Sequence, residues 1–471
     1  MSDHSSSLNS LMRQLPAVGT FLDSAEGALL SSEFGAGAAR FAVRLLLDEL
    51  RDGVKSGDIR EVPDRPALAA EAARRLAMIA RPAARRVINA TGVMLHTNLG
   101  RAPLADDAIA AMVGAQHYTP LEADVETGKR SLRGQTAVAM LRELTGCEAA
   151  HVVNNNAAAT LIVLNTIAGA AGKEVIISRG QLVEIGGAFR MPDVMERSGC
   201  ILREVGTTNR THLRDYEAAI GSSTGALMHV HTSNYRVRGF SGTPDIAELT
   251  ALGKQHGLPV IDDIGSGALA PLQQFGSFSE PLVADSVAAG SDLICFSGDK
   301  LIGGPQCGLI IGKREWIAKL EKNPFARMFR VDKLTLAALE ATLMHFINGT
   351  YASAIPFWRM LAMPLAEVAA RADALVRAIG QLPAGYSMSV VDDISRIGSG
   401  SIPDEGVPTR VLRIAVANEA ALEPFAKRLR MHQPGVFGRI QDGALLLDAR
   451  TLLPGDEADL AAIVKAMAAS E

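Results

Sequence analysis

Lys300 stands in the stretch "ICFSGDKLIGGPQCGLIIG", residues 294–312, between two apolar runs and among glycines. A lysine kept only for solubility belongs on a polar face, yet "LICF" leads in and "LII" leads out, both with the composition of buried strands. The pattern predicts a turn between two strands. Gly298, Gly303, Gly304 and Gly308 would give that turn backbone freedom and let a flat or bulky group come close. A desolvated amine there is shifted toward its neutral, nucleophilic form and can make a Schiff base with an aldehyde. A surface lysine in a glycine-rich turn is the plainer alternative.

Two other stretches could serve the same chemistry. In "HVVNNNAAATLIVLNTIAG" a strand runs into Asn154, Asn155 and Asn156, and Ala157 begins a helix whose first-turn N–H groups small side chains leave uncovered. That arrangement is an N-cap in any case and a phosphate site if a phosphate is present. In "GLPVIDDIGSGAL" a buried strand ends in Asp262 and Asp263 before a Gly-Ser-Gly turn. Either carboxylate could hold a protonated ring nitrogen, or simply cap the next helix. A phosphate cradle, a carboxylate and a lysine in that order are the parts that pyridoxal 5′-phosphate needs.

These parts must be positioned by a sheet. From about residue 81 to 345, short runs such as "EVIIS", "LPVIDDIG" and "CGLIIG" alternate with alanine-rich helical segments. The alternation predicts an α/β domain with a mostly parallel sheet, whose ligands bind at the carboxyl ends of the strands. Residues 1–80 read as a small helical domain, in which "AARFAVRLLLDELRDG" places Phe41, Leu45 and Leu46 on one face. Its end carries Arg74, Arg75, Arg81, Arg85 and Arg86, which on charge alone read as a solvated helix face. Residues 346–471 change to a small α+β pattern with a hairpin turn at Asp442-Gly443.

Composition narrows the classes. At 471 residues the chain needs more than one core, and 48% hydrophobic residues can fill them. A net charge of −4 excludes a polycation, so any nucleic acid must be held by a local patch. The four cysteines form no C-x-x-C pair, which argues against zinc and against a disulfide framework and fits a reducing cytoplasm. The polar start "MSDHSSSLNSLMRQLP" and the lack of a long apolar run predict neither export nor membrane insertion.

The stretches "RVINATGVMLHTNLGRAPL", "VVNNNAAAT", "HTSNYRVRGF", "FSGDKLIGGPQCGLIIG" and "NPFARMFRVDKLTLAALEATL" resemble the bacterial selenocysteine synthase family, the L-seryl-tRNA(Sec) selenium transferases. The resemblance runs from "LPAVGTFLD" to "FGRIQDGALLLDARTL". It implies a fold-type-I transferase that uses pyridoxal 5′-phosphate to convert seryl-tRNA(Sec) to selenocysteyl-tRNA(Sec) with selenophosphate as donor. A homo-oligomer whose helical N-terminal domain contacts the tRNA is implied as well. By motif, Lys300 is the Schiff-base lysine and Asp299 handles the donor, while Arg101, Arg327 and Arg330 bind anions. Arg327 and Arg330 are three apart, so on one helix or turn both could face a single phosphoryl group.

Cofactor contacts are expected from Asn155, Asn156, Ala157, Ser297 and the pyridinium partner Asp263, which the resemblance favours over Asp262 because Gly265 follows two residues later. Gln181 is the candidate for stacking on the ring. A lyase acting by β-elimination on a small amino acid or aminosugar would need the same cofactor chemistry and no RNA surface. A non-catalytic tRNA-binding protein on this fold would need the reverse.

Overall fold

The computed structural model describes residues 9–79, 84–187, 189–237, 239–398 and 401–469. Its internal contacts divide the chain into two compact units, Met1–Arg86 and Val87–Glu471.

The first unit packs the helices Val18–Leu22, Ala25–Phe34, Ala36–Ser56 and Arg65–Ile79. Ser24 caps the second by accepting from Gly27 N–H, and Gly57 ends the third in the left-handed region at φ 83°. The third helix buries Ala39, Ala42, Val43, Leu46 and Leu47, a stripe at the 3.6-residue period. Leu46 is on the expected face, but Phe41 and Leu45 are not: they are 43% and 39% exposed. Small Ala39 and Ala42 let the neighbouring helices approach, which turns the larger Phe41 outward. Arg74 and Arg75 both bind Glu71 at 2.7 Å, and Arg75 also reaches Glu49 at 2.8 Å. These guanidinium groups pull the Glu71 carboxyl down to about 2. Of the arginine cluster, Arg81 lies outside the described residues.

The second unit opens with β1 (Val87–Asn89) and then builds a seven-stranded sheet from β2 (Ala149–Val153), β3 (Glu174–Ser178), β4 (Ile201–Val205), β5 (Thr224–Val230), β6 (Val260–Gly265), β7 (Leu293–Ser297) and β8 (Gly308–Gly312). Their order is β2-β8-β7-β6-β5-β3-β4. Only β8 is antiparallel to its neighbours. All residues of β6, β7 and β8 are buried, as strands covered by helices on both faces must be. The carboxyl ends of β2, β5, β6 and β7 therefore share one edge of the sheet, which gathers Asn155, His231, Asp263 and Lys300.

A second sheet, β9 (Tyr386–Gly398), β10 (Ser401–Val416), β12 (Arg439–Gln441) and β13 (Ala444–Asp448), is ordered β9-β10-β13-β12. Asp442 and Gly443 make its hairpin turn at φ 48° and 66°. The short β11 (Gly435–Phe437) pairs in parallel with β1, so residues 87–89 join the C-terminal part rather than the large sheet. Helix Lys333–Ile347 likewise runs through the boundary expected at residue 345. Among the described residues no helix is long and apolar enough to cross a membrane, and no three side chains form a metal-ligating group.

Candidate active site

Lys300 is 6% exposed and sits on the turn between β7 and β8. Gly303 has φ 74° and donates its N–H to the Lys300 carbonyl at 2.9 Å, while Gly304 N–H closes on Gly298 at 2.9 Å. A Cβ on Gly308 would lie 2.2 Å from the Asn155 carbonyl oxygen. One on Gly298 would lie 2.4 Å from Cys307 Sγ. At Gly303 the backbone conformation demands glycine; at Gly298 and Gly308 close packing does.

The turn forms one wall of a cavity of about 230 Å³. Asp263 and Gly265 of β6 lie beside Lys300, with Ser297 at the end of β7. Asn155, Asn156 and Ala157 face them from the start of helix Asn156–Ile167. Asn155 caps that helix through Ala158 N–H at 2.9 Å, leaving other first-turn N–H groups for an anion. The N-cap and the phosphate site are thus compatible readings of the same residues.

The two adjacent carboxylates separate cleanly. Asp263 is 4% exposed and accepts from Asn156 Nδ2 at 2.9 Å and Thr160 Oγ1 at 2.7 Å. Asp262 points to the other face of β6, where His229 Nδ1 lies at 2.8 Å and Ser286 Oγ donates at 2.5 Å. Burial pushes the Asp263 carboxyl up, against the two hydrogen bonds and the nearby Lys300, so a cationic ring nitrogen would relieve it. Burial, then Arg101, pushes the Lys300 amine down. Acid at one end and amine at the other suit a flat, phosphorylated, protonated heterocycle with an aldehyde.

Arg101 also lines the cavity. Its backbone has φ 63°, unusual for a residue with a side chain, and its Nη1 lies 2.9 Å from Asp299 Oδ2. Arg330 shares an adjoining cavity with Asp299 and Gln306 and pairs with Glu122 at 3.1 Å. Arg327 does not reach either cavity. It lies in the short helix Pro324–Met328, whereas Arg330 follows that helix, and the two meet only along a third cavity with His151. One chain therefore does not gather the three expected arginines around one anion.

Gln181 is 3% exposed, its Oε1 accepts Val230 N–H at 3.2 Å, and it lines a neighbouring cavity that shares Val230 and His231 with that of Lys300. It follows β3, and although the chain enters the Lys300 cavity two residues later at Val183, Gln181 itself does not line it. Sequence reading passed over His231, Ser233 and Gln306, all of which line the cavity. The polar run "HVHTS" after an apolar strand start was the available signal for the first two.

A mostly parallel sheet with a buried lysine and carboxylate at its carboxyl edge defines a pyridoxal-phosphate-dependent enzyme of fold type I. The fold is similar to that of the solved D-glucosaminate-6-phosphate ammonia-lyase, with a TM-score of 0.58 at 22% identity over 82% of this chain and 96% of that one. Residues 87–453 match the family described as L-seryl-tRNA selenium transferase. The L-seryl-tRNA(Sec) selenium transferase of Carboxydothermus hydrogenoformans is 45% identical over 95% of both chains. That of Solidesulfovibrio magneticus is 46% identical over 98% of this chain and 99% of its own. The chain belongs to the L-seryl-tRNA selenium transferase family.

Proposed function

We propose that this protein converts L-seryl-tRNA(Sec) to L-selenocysteyl-tRNA(Sec), with pyridoxal 5′-phosphate as cofactor and selenophosphate as selenium donor. The observation that carries the reading is the meeting of Lys300, Asp263 and the helix start at Asn155 in one cavity, in a chain of this family. When bound, the cofactor supplies an aldehyde that links to an amine and a ring that draws electrons from Cα. Asp263 keeps the ring nitrogen protonated, and Asn156 and Thr160 hold its carboxylate in place. The N–H groups around Asn156 and Ala157 hold the phosphate. Lys300, its pKa lowered by burial, takes the substrate Cα proton and later returns it.

Arg101, steered by Asp299, stabilises the anionic oxygens of selenophosphate as phosphate leaves. Arg330 extends this positive surface beyond Asp299. The helical unit offers the tRNA its exposed arginines, with the charge of Arg74 and Arg75 partly offset by Glu71. A homo-oligomer belongs to the same reading: Ile109, Val113, Tyr118 and Leu132 are exposed apolar side chains that such an assembly would cover.

The test is to supply the full chain with cofactor, selenophosphate and either seryl-tRNA(Sec) or free amino acids and aminosugar phosphates. Selenocysteyl-tRNA should form, and borohydride should fix the cofactor to Lys300 in the wild type but not in Lys300→Ala. Turnover of a small amine with none of seryl-tRNA would replace this reading with that of a lyase.

A further inference from the structure

Glu280 is a buried carboxylate for which the reading above has no task. It is 3% exposed, its Oε2 lies 3.2 Å from His231 Nε2, and its Oε1 accepts from Ser266 Oγ. His231 follows β5 directly, lines the same cavity as Lys300 and donates its backbone N–H to the Asp263 carbonyl at 2.9 Å. Ser266 follows β6, and its carbonyl accepts Leu301 N–H at 3.3 Å, one residue beyond Lys300. The group thus joins the ends of β5 and β6 to the lysine turn.

With the carboxylate oxygen accepting, Nε2 is the donor toward Glu280, which leaves Nδ1 as the ring nitrogen that can exchange a proton. A carboxylate at that distance also offsets the charge of an imidazolium. Hydroxide leaves carbon poorly unless it is protonated as it goes. Lys300 takes the Cα proton and, in the reading above, keeps it to return to Cα, so a second group must protonate the leaving oxygen. Of the other protic side chains on the cavity wall, only a histidine ordinarily changes charge near neutrality.

We propose that His231 is the general acid for loss of the seryl hydroxyl and that Glu280 is its positioning residue, a step that rests on the seryl-tRNA reading above. The Cα proton passes to Lys300 and its electron pair becomes the Cα–Cβ double bond. The Cβ–O bond breaks with its pair on oxygen, and oxygen takes the Nδ1 proton of His231 and departs as water. His231 is then reprotonated from solvent.

The experiment compares wild type, His231→Asn and Glu280→Gln on seryl-tRNA(Sec) and on the same tRNA charged with β-chloroalanine, whose chloride leaves without a proton. His231→Asn should lose about a hundredfold on the seryl substrate and stay within about threefold of wild type on the chloroalanyl one, the scale expected of general acid catalysis. Glu280→Gln should show a smaller loss of the same selectivity. Borohydride labelling of Lys300 should be unchanged in both, which reports an intact cavity independently of turnover. Equal losses on the two substrates, or full seryl activity in His231→Asn, would overturn the proposal. A labelled wild type that converts neither substrate would instead overturn the seryl-tRNA reading and carry this step with it.

Discussion

Asp262 and Asp263 are adjacent in the chain and serve opposite faces of the same strand: Asp262 pairs with His229 at 2.8 Å, while Asp263 lines the cavity of Lys300 and is held by Asn156 at 2.9 Å. Strand geometry alone causes the split, because successive side chains point to opposite sides of a sheet. The register places His229 beside Asp262 and Val230 beside Asp263, so the first carboxylate meets an imidazole and the second meets the cavity.

Replacing each with asparagine should therefore have different consequences. In the function proposed above, Asp263→Asn removes the negative charge meant for the ring nitrogen and should lower turnover by about a hundredfold or more while leaving the fold intact. Asp262→Asn weakens a buried hydrogen-bonded pair and should cost about 1–3 kcal/mol of stability with little change in turnover per folded molecule. Urea unfolding and turnover per bound cofactor, measured on both variants, separate the two effects. Equal loss of turnover would place both carboxylates in the chemistry.

The arginines give a second test. Arg101 lies in the reactive cavity, so Arg101→Ala should reduce selenium transfer by about a hundredfold, on the order of 3 kcal/mol, yet leave borohydride labelling of Lys300 unchanged. Arg101→Lys should recover little, since an ammonium keeps the charge but loses the planar fork. Arg327→Ala is the informative comparison. A loss as large as that of Arg101 in the assembled enzyme would mean that Arg327 acts on an anion its own chain does not bring it to, and a subunit-mixing assay with Lys300→Ala would then show rescue.

The sheet and the lysine turn were legible because the signals are local: apolar runs of strand length, glycines at a turn, asparagines before small residues. That Asp263 rather than Asp262 would line the cavity was expected only through resemblance, since the face that each occupies depends on register with β5. A motif could not say which cavity Gln181 lines, because that depends on its hydrogen bond to Val230 N–H, which only folding supplies. Glu280 was invisible for the same reason: it lies in a loop stretch, and only folding brings it to His231 and Ser266. The face of the third helix was misread because Phe41 and Leu45 outweigh alanines in any count of hydrophobicity, although Ala39 and Ala42 pack together with Val43, Leu46 and Leu47.

His151 supplies a pH prediction. It lies on β2, its Nε2 is buried without a hydrogen-bond partner among the described residues, and burial, with Arg330 adding repulsion, pushes the imidazole down to about 4. In the unfolded chain the group titrates near 6.5. Between roughly 6.5 and 4 the unfolded state binds a proton that the folded state refuses, so stability must fall as pH falls through that window, by up to about 1.4 kcal/mol per pH unit from this group. Above about 6.5 both states are neutral at this site and it contributes no slope. His151→Gln removes the titration but keeps a polar side chain, so its urea midpoint should drop less than that of wild type between pH 7 and pH 5. Arg330→Gln should act in the same direction more weakly, by removing repulsion and letting His151 accept a proton at higher pH. Identical acid slopes in wild type and His151→Gln would show that the folded protein protonates this histidine as readily as the unfolded chain does.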